Sequence, residues 1–135
     1  SVIDDYAHHP TEIAAALSAA RQAGFRRIVA VFQPHLYSRT RDFADRFAQS
    51  LSAADSVFLT PIYRSREQAI DGVDTKMILE RMESEGVHPV SYCEDTEALV
   101  RAVLAVVRKG DAIITLGAGD INTVCPVILE RLHHG

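Results

Sequence analysis

The stretch Ala112-Ile113-Ile114-Thr115-Leu116-Gly117-Ala118-Gly119-Asp120 carries the reading of the fold. Its first five residues are apolar or β-branched without the polar alternation of a half-exposed strand. That pattern suits a strand buried on both faces, which belongs in a parallel sheet covered by helices on each side. The two glycines that follow permit either a tight turn or the close approach of a helix, and alone do not decide between them.

Outward from this strand the same unit repeats. Short runs at Val2-Ile3-Asp4, Ile28-Val29-Ala30-Val31-Phe32, Val57-Phe58-Leu59-Thr60 and Pro89-Val90-Ser91-Tyr92 are each followed by a longer amphipathic stretch. Alternating strands and helices predict an α/β fold: a Rossmann-like three-layer sandwich with a mostly parallel sheet of five or six strands and helices on both faces. The first helix is expected to start at Pro10, where a missing N–H costs nothing, and to stop at Gly24. The second is expected over about 42–53 with Phe43, Phe47 and Leu51 on one buried stripe, and the third from an Asp74 cap to Glu85. The fourth should begin at Asp95 or Thr96 and stop at Gly110. The fifth should follow Asp120, with Pro126 forcing a kink or a late start. The irregular stretch 61–73, with Tyr63, Arg64, Arg66 and Glu67, reads as a mobile surface loop bordering a site.

Length and charge limit the function. The 135 residues are enough for one domain with its own core and too few for two. Fourteen basic against eighteen acidic residues, a net charge of −4, give no overall field to attract nucleic acid or an anionic membrane. Cys93 and Cys125 are far apart and follow no ligand spacing, so two buried thiols in a reducing compartment are expected. No apolar run reaches the length of a membrane span, and the expected location is cytoplasmic. The terminal Leu132-His133-His134-Gly135 has the look of either native sequence or a purification tag.

In open parallel sheets ligands bind beyond the carboxyl ends of the strands, where loops converge and helix N-termini point their positive ends. Three polar loops fall there: Asp4-Asp5-Tyr6-Ala7-His8-His9-Pro10, then Gln33-Pro34-His35-Leu36-Tyr37-Ser38-Arg39-Thr40-Arg41, then Gly117-Ala118-Gly119-Asp120. The first offers carboxylates for ribose hydroxyls, a phenol for stacking and imidazoles for proton or carboxylate contacts. The second offers an anion three donors, protonated His35, Arg39 and Arg41, with Ser38 and Thr40 near a helix start. Arg41 reads more simply as a solvated charge. No G-x-x-x-x-G-K-[ST] loop occurs, so no cradle for the phosphates of ATP is evident. A chain beginning almost on a strand also fits a domain cut from a longer polypeptide.

At these loops the sequence resembles the Mur ligase family. The resemblance rests on Asp4-Asp5-Tyr6-Ala7-His8-His9-Pro10-Thr11-Glu12, on Phe32-Gln33-Pro34-His35-Leu36-Tyr37-Ser38-Arg39-Thr40-Arg41 and on Gly117-Ala118-Gly119-Asp120-Ile121, and it covers nearly the whole chain. It implies that residues 1–135 form a single C-terminal, amino-acid-presenting domain of a three-domain cytoplasmic ligase of peptidoglycan synthesis. ATP and magnesium would be bound mainly by a central domain, against which this one packs. The implied reaction joins L-alanine to UDP-N-acetylmuramate through an acyl phosphate. Matched by position, Asp5 would meet the ribose of ATP, and Tyr6 the adenine or the amino-acid pocket. His8 and Arg39 would hold the alanine carboxylate. Gly117, Gly119 and Asp120 would lie near the incoming amino acid, and His35 would bind or support the site. No catalytic residue is expected in this domain alone, and the isolated chain is expected to be inactive. Where some relatives have arginine this chain has Leu36, which removes a cationic contact or narrows the pocket for a methyl group. Three alternatives remain: a relative that attaches a preformed peptide during cell-wall recycling, a zinc or manganese hydrolase using Asp4 or Asp5 with His8, His9 and His35, and a non-catalytic small-molecule or partner-binding domain of flavodoxin-like shape. No spacing like H-E-x-x-H supports the metal reading.

Overall fold

A computed structural model describes residues 1–87 and 89–134. Five strands, β1 (Val2–Asp5), β2 (Ile28–Phe32), β3 (Ser56–Leu59), β4 (Val90–Tyr92) and β5 (Ala112–Leu116), form one sheet in the order β1-β5-β2-β3-β4. Every pairing is parallel. The expected α/β architecture is therefore present, with five strands and no antiparallel member among the described residues. The two central strands β2 and β5 are buried at all five positions, as their unbroken apolar sequence requires.

Helices α1 (Pro10–Gln22), α2 (Tyr37–Leu51) and α3 (Lys76–Ser84) cover one face, and α4 (Thr96–Val106) with α5 (Val124–His134) cover the other. Alternate side chains of each strand feed the two cores. Ile28, Ala30 and Phe32 of β2 meet Leu17 of α1 and Phe47 of α2, while Val29 and Val31 meet Val100 and Val103 of α4 and Ile128 of α5. This division is the strand period of two acting on a sheet with two covered faces.

The register decides where the loops go. Asp5 pairs with Leu116, Leu116 with Phe32, Phe32 with Leu59, and Leu59 with Tyr92, so the five strands end on a single row. Every loop that follows a strand opens on the same rim. From the adjacent ends of β2 and β5 the chain leaves toward opposite faces, to α2 and to α5, which opens a crevice between them.

Most expected helix signals act as read. Pro10 is the first residue of α1, Gly24 follows its end at φ +100°, and the Asp95 carboxylate accepts from the Ala98 N–H at 2.8 Å to cap α4. Four boundaries differ. Helix α2 begins at Tyr37, five residues before Asp42, because the distant Glu67 carboxylate accepts from the Ser38 N–H (2.9 Å) and hydroxyl (2.5 Å) and caps its first turn. Its Phe43 has non-helical angles (φ −119°, ψ 15°) and is only partly buried, so the stripe is fully buried only at Phe47 and Leu51. Helix α3 starts at Lys76, one turn residue beyond Asp74, whose carboxylate accepts from the Lys76 N–H. Helix α4 stops at Val106, before a turn in which the Asp111 carboxylate accepts from the Arg108 N–H at 2.8 Å. After Asp120 a 3-10 turn, Ile121–Thr123, precedes α5, leaving Pro126 in the helix's first turn, where the late start replaces a kink. His133 and His134 extend α5, and Gly135 lies outside the described residues.

The stretch 61–73 is not a free loop. Tyr63 pairs with the second polar loop through its N–H to Pro34 O (2.8 Å) and its carbonyl to the Leu36 N–H (2.9 Å), and the Thr75 hydroxyl donates to Thr60 O at 2.6 Å. Together with Glu67, which caps α2, these bonds tie the stretch at Tyr63, at Glu67 and across its two ends.

Candidate functional site

The first loop is built around its own carboxylates. Asp5, the last residue of β1, accepts from the Ala7 N–H at 2.9 Å through one oxygen, which turns the chain and leaves the other oxygen available. Glu12, one turn into α1, reaches back to the N–H groups of His8 (3.3 Å) and His9 (3.1 Å). Those donors hold its carboxyl below the usual range, the His8 N–H contributing most. The His8 Nδ1 lies 3.1 Å from Tyr6 O. A carbonyl only accepts, so Nδ1 carries a proton and Nε2 is left for a ligand. Tyr6 stands 69% exposed, its ring edge-on to His8 at 5.5 Å.

The second loop meets the first through His35. Its imidazole is 5.8 Å from that of His8, and its Nδ1 is 3.4 Å from Arg39 Nη1. A guanidinium only donates, so Nδ1 accepts and His35 is neutral. Burial, then the nearby Arg39 and His8, push its pKa below the ordinary value. In this pair Arg39 is the cation and His35 turns its Nδ1 to it. His8 and Arg39 are both neighbours of His35, so all three lie on the same rim.

Arg39 and Arg41 lie on the first turn and a half of α2 and differ in partners. Arg41 is exposed and paired with Asp42 at 2.9 Å, as a solvated charge would be. Arg39 is partly buried and pairs with no carboxylate among the described residues. Ser38 and Thr40 are already occupied: Ser38 donates to Glu67, and the Thr40 hydroxyl to Leu36 O at 2.8 Å. The anion position expected at the start of α2 is thus filled by the protein's own Glu67, whose carboxyl is held below its usual range chiefly by the Ser38 hydroxyl. Leu36, just before α2, has φ +72° and ψ 139°, a conformation that costs an L residue about 1–3 kcal/mol. Hydrogen bonds on both its N–H and its carbonyl hold it there.

The third loop lies against the second at the crevice between β2 and β5. The buried Gln33 donates to Asp120 Oδ1 at 2.7 Å and accepts from the Ile121 N–H at 3.2 Å, so both ends of its amide are used. The glycines serve close approach. A Cβ on Gly117 would lie 2.9 Å from Ile121 Cγ2, and one on Gly119 would lie 2.7 Å from Gln33 Oε1 and 2.8 Å from Tyr63 Cδ1. Beside this contact, a hollow of about 530 Å³ opens between Gln33, Tyr63, Arg64, Cys93, Asp95 and Asp120. Burial raises the pKa of both Cys93 and Cys125, in keeping with unreactive thiols.

Asp5, Tyr6, His8, His35 and Arg39 thus form one continuous group, and Gly117, Gly119 and Asp120 join it through Gln33 and Tyr63. Among the described residues no three His, Cys, Asp or Glu side chains converge to hold a metal, so the cluster proposed for zinc or manganese does not form. Sequence reading placed Tyr63 and Glu67 only on a loop bordering the site and missed their contacts, since nothing local ties positions 63 and 67 to positions 33–38. Gln33 had a local signal: a polar residue directly after a fully apolar strand.

The profile of the Mur ligase, glutamate ligase domain, matches residues 1–119. The chain belongs to the Mur ligase family. This Mur ligase chain is 48% identical over 132 residues to the UDP-N-acetylmuramate–L-alanine ligase of Koribacter versatilis, covering 98% of the chain and 28% of that protein. It is 51% identical over 135 residues to the enzyme of the same name from Mycobacterium sp. (strain JLS), covering 97% of the chain and 27% of that protein. The crystal structure of UDP-N-acetylmuramate-alanine ligase from Thermotoga maritima superposes with a TM-score of 0.78 at 32% identity, over 98% of this chain and 26% of that one. The Mur ligase chain therefore spans about a quarter of the length of the relatives it matches.

Proposed function

We propose that this chain is the C-terminal, amino-acid-presenting domain of a cytoplasmic ATP-dependent ligase that joins L-alanine to UDP-N-acetylmuramate in peptidoglycan synthesis. The observation that carries the reading is Arg39: a partly buried guanidinium without a carboxylate partner among the described residues, on the same rim as His8 and separated from it by a neutral imidazole. An unpaired cation in such a place is costly unless an anion completes it, and a planar fork suits a carboxylate. In this reading Arg39 and His8 together hold the alanine carboxylate, a contact that His8 makes only with a proton on Nε2 as well as on Nδ1. Asp120 and the Gly117–Gly119 backbone border the amino group. That the near-half-identical relatives carry the alanine-ligase name supports alanine over other amino acids.

The chain fits one end of ATP and not the other. Asp5 has a free carboxylate oxygen for a ribose hydroxyl, and the exposed Tyr6 ring offers a face for a base. No glycine-rich phosphate loop is present, so the triphosphate and magnesium would be bound by a central domain. Bound there, ATP supplies the phosphoryl group that activates the sugar carboxylate. This chain's part is to hold the alanine amine within reach of that activated carbon, which is worth up to about 7 kcal/mol or more in well-oriented models.

The test compares these 135 residues alone with a protein in which they follow the upstream domains, scoring amino-acid-dependent phosphate release with UDP-N-acetylmuramate. The isolated chain should give no turnover and the longer protein should prefer L-alanine. Turnover by the isolated chain, or preference of the longer protein for a tripeptide, refutes the reading.

A further inference from the structure

We propose that Tyr63 is the positioning residue of this site: its ring, set against both the Gly119 backbone and the His35 imidazole, fixes His35 and through it Arg39. This rests on the reading that Arg39 holds the alanine carboxylate, and adds a residue from the loop after β3, which the motifs did not mark.

The geometry is specific. The Tyr63 ring stacks on His35 with centroids 5.9 Å apart and planes 16° from parallel, while its backbone bonds to the residues on either side of His35, Pro34 and Leu36. The ring also lies so close to Gly119 that no Cβ could stand there without displacing it. His35 therefore has three neighbours that fix its plane: Tyr63 on one face, His8 edge-on, and Arg39 at Nδ1. With Nδ1 aimed at Arg39 Nη1, the remaining guanidinium N–H groups are directed elsewhere, which leaves them for the ligand. Tyr63 is itself 37% exposed, and its phenol makes no hydrogen bond to another described residue. The ring, rather than the hydroxyl, does the positioning. The contact also couples the third loop to the first two, because any movement of Gly119 is passed to His35 through the ring.

Two readouts test this. In the 135-residue chain, the midpoint of His35 protonation is followed by NMR of its imidazole carbons. In the ligase that contains the chain, alanine KM and kcat are measured. Tyr63→Ala uncovers one face of His35, so the midpoint should move up toward the ordinary histidine value. Alanine KM should rise about three- to tenfold, the range for losing one aromatic stacking contact, with kcat little changed. Tyr63→Phe keeps the ring and should leave both unaltered. Gly119→Ala, with Tyr63 intact but pushed aside, should reproduce both effects. An unmoved His35 midpoint in Tyr63→Ala overturns the proposal, and so does an unchanged alanine KM in a protein where Arg39→Ala raises it. If Arg39→Ala itself has no effect on alanine KM, the ligand reading fails and the role of Tyr63 in binding falls with it.

Discussion

Replacing Arg39 by alanine removes the one partly buried cation of the rim that has no carboxylate partner among the described residues, and the structure allows the cost to be divided. Within the protein, Arg39 makes a single side-chain contact, 3.4 Å to a neutral imidazole nitrogen, near the outer limit for a hydrogen bond. Losing it should cost no more than about 1 kcal/mol of stability, a fall of roughly 5 °C or less in melting temperature for a domain of this size. Toward a bound carboxylate, a charge-assisted bond contributes about 1.5–3 kcal/mol, so alanine KM should rise about ten- to hundredfold. The contact is made to the amino acid alone, so KM for the UDP-sugar and for ATP should stay within about twofold. Arg39→Lys keeps the charge and loses the fork, and should fall between the two. The assay is steady-state phosphate release with each substrate varied in turn, paired with a thermal melt of each variant. Unaltered alanine kinetics in a folded Arg39→Ala protein would remove Arg39 from the site. A large melting shift with all three KM values raised would make its role structural.

Glu67→Gln should weaken the start of α2 in a pH-dependent way. The Glu67 carboxyl is held below its usual range by the Ser38 hydroxyl and N–H, so its stabilising contribution is complete above about pH 4.5 and is lost as pH falls through the lower folded value. Melting temperatures of wild type and Glu67→Gln should therefore differ at pH 7 and converge as the pH falls through the folded value, and a constant difference would contradict the capping role. Pro126→Ala should change stability by less than about 1 kcal/mol, since the residue is exposed and sits in the first turn of α5, where the missing N–H costs no helical bond. A gain of about 3 kcal/mol, as for relief of an interior proline, would place it wrongly.

Much of the fold was legible because it rests on local pattern. The strands Ile28–Phe32 and Ala112–Leu116 coincide with their apolar runs, since a strand buried on both faces can contain little else. Pro10, Gly24 and Asp95 marked helix ends through backbone chemistry that needs only near neighbours. The start of α2 was not legible, because the carboxylate that caps it lies 29 residues away. The stretch 61–73 read as mobile because its composition is polar, although its backbone pairs with the second loop.

The sequence by itself determined the α/β architecture, the three polar loops at the strand ends, and the family. Each of these depends on the type and spacing of nearby residues. The tertiary structure decided that those loops meet, because only strand order and register bring Asp5, Leu116 and Phe32 onto one row. It also decided the charges: His35 is neutral, and Arg39 rather than the helix start faces the open site, because burial and the intervention of Glu67 and Tyr63 are set by residues far off in the chain.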